Sequence, residues 1–199
     1  MRILLVGGRG TIGRAVAAEL GPRHEVIEAG RRSGSVTLDL ADGASVRRAL
    51  ESVGPLDAIV SAAGHVGWGP LLELTPDQWD FSVNNKLMGQ VVLALIGAQS
   101  LRDGGSITLT SGVLVDQPVP GGAAASLANG GIEAFVRAAA IELPRGLRIN
   151  AVSPGVVAES MDDYAAYFRG FVPVPAARVA LAYSRSVEGA DTGKVYAAQ

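Results

Sequence analysis

The chain has 199 residues, 48% of them hydrophobic and 18% charged, with a formal net charge of −2 and no cysteine. This length suits one domain with a substantial core, so we expect a single domain over residues 1–199. The small net charge and the scattered basic residues argue against nucleic-acid and anionic-membrane partners. The lack of cysteine excludes disulfides and thiolate metal sites, and because no histidine pair has metal-ligand spacing we expect no metal.

The apolar runs are too short for targeting or membrane segments. Only four apolar residues, at 3–6, precede the first glycines, which is too few for the core of a signal peptide. The aliphatic run at 91–96 is far shorter than the roughly 20 residues that span a bilayer. We therefore expect a cytoplasmic protein.

Apolar runs of strand length alternate with helix-period segments along the whole chain. Strands are predicted at 3–6, 25–29, 35–38, 57–61, 106–110, 147–152 and 194–197, and helices, with their capping residues, at 12–20, 42–53, 75–100, 123–143 and 176–187. The stretch between the second and third strands is too short for a crossover helix. The alternation predicts an α/β Rossmann fold, in which helices flank a doubly wound parallel sheet of about seven strands.

A glycine-rich turn joins the first strand to the first helix. Gly7, Gly10 and Gly13 allow a tight turn, close approach of a pyrophosphate and close packing of the helix on the strand. The same turn contains Arg9, Thr11 and Ile12. Its position at the head of an alternating α/β chain predicts a dinucleotide-binding site at the amino terminus of the first helix.

The residues after the second strand indicate which dinucleotide binds. An acidic side chain there usually contacts the ribose of NAD, whereas the 2′-phosphate of NADP favours arginine. Here Arg31, Arg32 and Ser33 follow the strand, and Arg9 directs another positive charge to the same region. This pattern favours NADP(H) over NAD(H). Two readings stay open: the arginines belong to a solvated loop, or Glu28 accepts a hydrogen bond from the ribose.

Three further motifs, with the glycine turn, resemble the short-chain dehydrogenase/reductase family over essentially the whole chain. Asp39 lies where a family aspartate contacts the adenine, and Ser61-Ala62-Ala63-Gly64 resembles the Asn-Asn-Ala-Gly signature after the fourth strand. Asn150-Ala151-Val152-Ser153-Pro154-Gly155 resembles the strand and Pro-Gly turn beside the nicotinamide. The resemblance implies that the backbones of Val156 and Val157 hold the carboxamide.

The catalytic residues of that family are replaced in this chain. Typical members use a serine after the fifth strand and a Tyr-x-x-x-Lys motif on the next helix, in which lysine lowers the pKa of the tyrosine. The resemblance places Gly112 at the serine position, Ala125 at the tyrosine position and Asn129 at the lysine position. Ser111, beside Gly112, is a candidate substitute, although neighbouring residues on a strand point to opposite faces.

Lys86 is the most distinctive candidate for a catalytic group. The resemblance places it where the family has a water-holding asparagine, so Lys86 and Asn129 are interpreted as having exchanged positions. Trp79, Val83, Lys86 and Gln90 form one stripe, and a lysine on a largely apolar inward face needs a reason. The alternative is a rotated helix with a solvated Lys86.

Other side chains are weaker candidates for the proton donor. His65 follows the fourth strand, and Tyr164 and Tyr167 lie in the segment after the Pro-Gly turn, where the family carries a substrate lid. Each has an ordinary alternative role, as surface polarity for the histidine and as pocket lining or lid packing for the tyrosines.

Two functions are compatible with these residues. The first is an NADP(H)-dependent oxidoreductase that transfers hydride to or from a small carbonyl, imine or alkene with a non-standard proton donor. The second is a non-catalytic dinucleotide sensor or scaffold. Family members form dimers or tetramers through the helices predicted at 75–100 and 123–143, and the small side chains of Ala134, Ala138 and Ala139 would allow close helix approach, so we expect a homodimer or homotetramer.

Overall fold

The predicted strands form one parallel sheet. The computed structural model describes residues 1–32 and 34–199, which leaves the predicted phosphate contact Ser33 outside the described residues. The strands are β1 (Arg2–Val6), β2 (Glu25–Gly30), β3 (Val36–Thr37), β4 (Leu56–Ser61), β5 (Leu101–Thr110), β6 (Arg148–Pro154) and β7 (Val195–Ala198). Their spatial order is β3-β2-β1-β4-β5-β6-β7, and every pair is parallel. The order reverses between β1 and β4, which is where ligands bind in such sheets.

The helices cover both faces of this sheet. They are α1 (Thr11–Leu20), α2 (Gly43–Val53), α3 (Pro76–Ser82), α4 (Gly89–Ser100), α5 (Ala123–Glu142), α6 (Met161–Tyr164) and α7 (Ala176–Glu188). The predicted caps are present: Asp42 accepts a hydrogen bond from the Ala44 amide, and Thr75 forms a capping box with Gln78. The prediction of a Rossmann fold is therefore confirmed. No helix in the described ranges is long and apolar enough to cross a membrane.

Two hydrophobic cores lie on opposite sides of the sheet. One packs α2, α4 and α5 against the strands, with Leu93 and Ile132 completely buried. The other packs α1 and α7 against the opposite face, with Val16 and Val179 completely buried. Burial on both faces explains why the strands read as continuous apolar runs instead of alternating patterns.

The structure departs from the predicted elements in two places. The helix predicted over 75–100 is present from Pro76 to Ser100, but its middle part, Val83–Met88, is a π-helix that separates α3 from α4. In β5, Leu101 pairs with Leu56 but the next register pair is Ser106 with Ala58, so only the predicted part from Ser106 onward runs regularly beside β4. A π-helix inserts extra backbone into a turn and changes which side chains face inward, and such turns are frequent at functional sites.

A buried glutamine closes the carboxyl end of β5. The amide of Gln90 accepts a hydrogen bond from the Thr110 N–H at 2.9 Å and donates one to the Thr110 carbonyl at 3.0 Å. The last strand pair between β4 and β5 is Val60 with Thr108, so Gln90 replaces the missing strand partner of Thr110. On the other side of β5, the next residue, Ser111, still donates its N–H to the Val152 carbonyl of β6 at 2.8 Å.

We expect Gln90→Met to destabilise the fold by about 2–4 kcal/mol, because it leaves the buried N–H and carbonyl of Thr110 unpaired. Urea unfolding followed by circular dichroism measures the change. The control is Gln117→Met, whose exposed side chain has a 3.4 Å hydrogen bond to Gln199 and is expected to cost less than about 0.5 kcal/mol. Equal stabilities of the two variants would contradict the role given to Gln90.

Candidate active site

Two clefts lie at the carboxyl edge of the sheet and share Gly64 and His65. The larger, here called the Lys86 cleft, has a volume of about 400 Å³. The smaller, called the Arg31 cleft, has a volume of about 250 Å³. Together they form a crevice that crosses the point where the strand order reverses.

The structure brings most of the predicted cofactor residues to this crevice. Thr11, Ile12, Ala62, Gly64, Pro154, Gly155, Val156 and Val157 line the Lys86 cleft. Gly7, Arg9, Gly10, Arg31, Arg32, Asp39, Ala63 and Gly64 line the Arg31 cleft. Gly13 and Ser61 line neither cleft: Gly13 packs on the carbonyl of Gly7, and the fully buried Ser61 accepts a hydrogen bond from Thr110 through its backbone carbonyl.

Glycine occupies the three positions of the turn for different physical reasons. A Cβ on Gly13 would lie 2.0 Å from the Gly7 carbonyl oxygen, and one on Gly7 would lie 2.8 Å from the Ala62 carbonyl oxygen. Gly10 differs, because a Cβ there would meet nothing closer than 3.4 Å and its φ of −73° is open to any residue. The protein itself therefore has room for a side chain at Gly10. Gly10 therefore borders open space at the first turn of α1, a part of a helix that attracts anions.

Positive charge is concentrated at the outer end of the crevice. Arg31 and Arg32 are exposed, and neither forms an ion pair with another residue of the described ranges. Arg9 pairs with Glu28 at 2.9 Å, and the Glu28 side chain also packs against Gly8. Glu28 is thus occupied by Arg9 and does not line the Arg31 cleft. Within residues 1–32 and 34–199, Arg31 and Arg32 are the arginines of this pocket that form no ion pair.

Lys86 is buried at the inner end of the crevice, which confirms the inward-facing prediction. It belongs to the π-helix, and only 9% of its surface is exposed. Its alkyl chain passes over Gly64, where a Cβ would lie 2.6 Å from the Lys86 Cδ. Among the described residues, no hydrogen bond or ion pair to its ammonium is present, and burial alone lowers the pKa of Lys86 to about 8.

Asn129 and Gly112 occupy the floor of the Lys86 cleft. Asn129 is buried, and its Oδ1 has no hydrogen-bond partner among the residues described. A Cβ on Gly112 would lie 2.9 Å from the Asn129 Nδ2, so glycine is needed there to make room for the amide. Ala125, one turn earlier on α5, lines the same floor. The floor therefore offers an amide but no hydroxyl group from these three positions.

The hydroxyl group of Ser111 is held away from this floor. It donates a hydrogen bond to the buried Glu133 carboxylate at 3.0 Å, and Glu133 also pairs with Arg137 at 3.2 Å. Ser111 lines the cleft, but its proton is used by Glu133. The alternation of side chains along a strand explains this direction, because Gly112 occupies the position that faces the cleft.

An aromatic wall, of which the sequence analysis named only Tyr164 as pocket lining, borders the Lys86 cleft. Trp68 packs against Tyr164 with ring centroids 5.6 Å apart, and Phe168 packs on both rings with centroids 6.3 Å from each. Tyr167 also touches Trp68, at 5.1 Å, but lines a different surface groove. The signal available in the sequence was the cluster of aromatic residues at 164–171, whose partner Trp68 is distant along the chain.

The chemistry that this crevice allows follows from its charges. One end presents exposed guanidinium groups, the middle presents the first turn of α1, and the other end presents a single ammonium in a mostly apolar pocket. In the described ranges, no group of three or more histidine, aspartate or glutamate side chains lies close enough together to bind a metal ion. The crevice thus suits an elongated ligand with phosphates at its outer end.

The chain is similar to known reductases and dehydrogenases. A family model described as enoyl-(acyl carrier protein) reductase matches residues 13–198. Versicolorin reductase stcU of Emericella nidulans is 32% identical over 200 residues, which cover 86% of this chain and 74% of that protein. An uncharacterised NAD-dependent oxidoreductase of Mycobacterium tuberculosis is 32% identical over 182 residues, which cover 85% of this chain and 65% of that protein.

Solved structures match over nearly the full length. The protein lin1944 from Listeria innocua is 50% identical with a TM-score of 0.98, and the match covers 99% of this chain and 98% of that one. A small-chain dehydrogenase in complex with NADPH is 29% identical with a TM-score of 0.86, covering 99% of this chain and 95% of that one. The crevice described above therefore lies in a fold that holds NADPH in another protein.

Gly64→Ala should disturb Lys86 beyond the backbone strain that alanine introduces at a positive φ. The matched control is the same change made in a Lys86→Ala background, where the φ of 129° at position 64 is kept but the Lys86 Cδ, 2.6 Å from the added Cβ, is absent. We expect the control to cost about 1–2 kcal/mol and Gly64→Ala to cost at least about 1 kcal/mol more. Urea unfolding of both variants measures this difference. Equal costs would show that the Lys86 side chain moves away from the added Cβ without a measurable loss of stability.

Proposed function

The chain belongs to the short-chain dehydrogenase/reductase family of oxidoreductases, and we propose that it uses NADP(H), with Lys86 as its proton donor. The observation that carries the proposal is the crevice with two arginines at one end and a buried lysine at the other, none of which forms an ion pair with the residues that the structure describes. A small-molecule substrate would bind in the Lys86 cleft, beside the Pro-Gly turn. A reduced nicotinamide supplies hydride when bound, and the remaining steps depend on the protein's own residues.

Each part of the crevice has a binding role in this proposal. The N–H groups at the first turn of α1, which includes Thr11 and Ile12, would hold the pyrophosphate, and Asp39 would contact the adenine. The backbones of Val156 and Val157 would hold the carboxamide. Gly10 fits this arrangement, since a side chain there would fill the space above the helix terminus. The glycine turn is thereby explained by both packing and binding.

The preference for NADP(H) rests on the charges around the Arg31 cleft. Arg31 and Arg32 line it without ion-pair partners in the described ranges, while the acidic alternative, Glu28, is held by Arg9. A 2′-phosphate would therefore meet two guanidinium groups there, while the carboxylate that also lines this cleft, Asp39, accepts a hydrogen bond from the Ala41 amide and is assigned to the adenine. Ser33, which would add a hydrogen bond, lies outside the described residues. Because one relative is described as an NAD-dependent oxidoreductase, the preference is tested by measuring the binding of both nucleotides.

Lys86 is the best-placed candidate for proton transfer. The tyrosine and lysine positions of the family hold Ala125 and Asn129, and the hydroxyl group of Ser111 is bonded to Glu133. An ammonium whose pKa is about 8 can both donate and regain a proton near neutral pH. Asn129, with its unpaired Oδ1, would position a water molecule or the substrate beside Lys86. In this proposal Lys86 and Asn129 have exchanged positions, which returns an ammonium to the site.

We also propose a homodimer or homotetramer built on α5. Leu127, Ala134, Ala138 and Ile141 lie on one exposed stripe that extends over about four turns of this helix. Ala139, in contrast, packs against the core. Small and apolar side chains on an exposed helix face allow a second helix to approach closely. The proposed cellular location is the cytoplasm.

Arg31→Ala should weaken NADPH binding by one to two orders of magnitude, because it removes a charge-assisted contact to the 2′-phosphate. Binding of NADPH and of NADH is measured separately by nucleotide fluorescence. NADH, which lacks the phosphate, should be affected less than threefold. The control is Arg47→Ala, an exposed arginine on α2 away from both clefts.

The outcomes of this titration separate three possibilities. Tight NADPH binding that depends on Arg31 supports the proposal. Equal binding of the two nucleotides, unaffected by Arg31→Ala, would contradict the NADP preference and leave the oxidoreductase assignment in place. If neither nucleotide bound, the glycine turn would be purely architectural, and the cofactor role given to the crevice would be wrong.

The rate of carbonyl reduction should fall as the pH rises through about 8, where Lys86 loses its proton. The reverse oxidation should rise over the same range, because the neutral amine accepts a proton. Steady-state kcat is measured from pH 6 to 10 in both directions. Lys86→Met should lower kcat by at least about 100-fold, the usual contribution of a general acid, and should remove this pH dependence.

Unfolding provides an independent control for the same group. The pKa of Lys86 is depressed from its ordinary 10.5 in the folded protein, so between about 8 and 10.5 the unfolded chain binds more protons. The free energy of unfolding should therefore increase with rising pH in this window, relative to that of Lys86→Met.

His65 and Tyr164 also line the cleft. A pH dependence of kcat that survives in Lys86→Met would therefore assign proton transfer to one of these two side chains.

A further inference from the structure

The two lysines of the chain lie in opposite surroundings. Lys194 is exposed just before β7, whereas Lys86 lines its cleft with only 9% of its surface exposed. The remaining residues counted as basic with them are arginines, which stay protonated in proteins. Lys86 is therefore the one buried side chain that can present a neutral primary amine.

No described residue holds the Lys86 nitrogen. Within residues 1–32 and 34–199 it has no hydrogen bond and no ion pair. The other titratable side chains that line the cleft are His65 and Tyr164, and neither is a carboxylate. Glu133, the buried acid on α5, is bonded to Ser111 and paired with Arg137. Burial without a counter-charge lowers the pKa of Lys86 to about 8, so a large share of this amine is neutral at that pH.

The cleft in front of this amine suits a small apolar molecule. Its volume of about 400 Å³ is in the range of small-molecule sites, and aliphatic side chains such as Val113 and Leu114 line it together with the aromatic wall. The close approach of the Lys86 alkyl chain to Gly64 restricts the position of the amine. A restricted amine meets a bound electrophile at a low cost in entropy.

The charges of the cleft indicate which electrophile it would take. Burial of the Lys86 ammonium costs free energy, and a reaction that leaves a neutral nitrogen removes this cost. An aldehyde reacts in this way, because the imine that it forms with a lysine amine is neutral. Carbon dioxide would instead form an anionic carbamate, for which the lining residues offer no arginine and no second lysine. The cleft therefore favours an aldehyde.

We propose that Lys86 is a nucleophilic amine and that its cleft binds small apolar aldehydes covalently, as imines. The lone pair of the neutral Nζ attacks the carbonyl carbon, and the electrons of the C=O double bond move to the oxygen. A proton passes from the nitrogen to this oxygen, which gives a carbinolamine. The C–O bond then breaks, the nitrogen lone pair closes the C=N bond, and the hydroxyl group leaves as water with the second nitrogen proton.

The Asn129 amide is placed to assist this step. Its Oδ1 is buried on the floor of the same cleft and has no hydrogen-bond partner among the described residues. It would accept a hydrogen bond from the carbinolamine hydroxyl group. No oxidant, reductant or nucleotide is needed, so the inference goes beyond the proposed function. The ammonium form of Lys86 donates protons there, and the neutral form adds to the aldehyde.

The first arm of the test compares the two lysines within one molecule. The full chain, without nucleotide, is incubated at a pH of about 8 with hexanal and sodium cyanoborohydride, which reduces each imine to a stable secondary amine, and peptide mass spectrometry follows the labelling of each lysine. We expect Lys86 to be labelled at least about tenfold faster than Lys194, because more of its amine is neutral. In guanidinium chloride the two rates should agree within about twofold, since unfolding removes the cleft.

The second arm tests whether the cleft binds the aldehyde. The ratio of Lys86 to Lys194 labelling should be at least about fivefold larger for hexanal than for glyceraldehyde, whose hydroxyl groups would lose water in an apolar cleft. Equal ratios, or labelling of Lys194 in the folded protein as fast as that of Lys86, would overturn the inference while the cofactor assignment stands. Failure to bind either nucleotide would overturn the proposed function and leave both labelling readouts intact.

Discussion

Parallel pairing of the strands is the constraint on which the rest of the molecule depends. Because each strand must be followed by a crossover on one face, all seven strands end at the same edge of the sheet. The residues that follow β1, β2, β4, β5 and β6 are far apart in the sequence, yet they meet along one crevice. The reversal of strand order beside β1 opens this crevice, since the crossovers from β1 and β4 leave in opposite directions.

Within that crevice, the burial of Lys86 connects local geometry to chemistry. The π-helix places the residue on an inward face, Gly64 leaves room for its alkyl chain, and the surrounding apolar wall lowers the pKa of its ammonium. The neighbouring amide of Asn129 is accommodated in turn by Gly112. Two glycines outside the phosphate turn are thus explained by the polar side chains that lie over them. These contacts give the departure from the family's catalytic residues a physical basis.

Much of the fold and of the cofactor site was predictable because its signals are local. The strand runs, the Asp42 cap and the Thr75 capping box each depend on residues a few positions apart, and all appear in the structure. The π-helix was not predictable, because its sequence, from Val83 to Met88, has the same apolar stripe as an ordinary helix. The contribution of Trp68 and Phe168 to the aromatic wall was missed for a different reason. These two residues are distant along the chain and come into contact only in the folded protein.

The sequence by itself determined the α/β architecture and the glycine turn, because both follow from residue type and spacing along the chain. That Ala125 and Asn129 occupy the family's tyrosine and lysine positions is an implication of the resemblance and stays a prediction. Tertiary structure alone decided that Lys86 is buried, that Glu28 pairs with Arg9 and that the Ser111 hydroxyl group bonds Glu133. Each of these depends on the environment contributed by another element, and the desolvation and pairing of charges change with that environment.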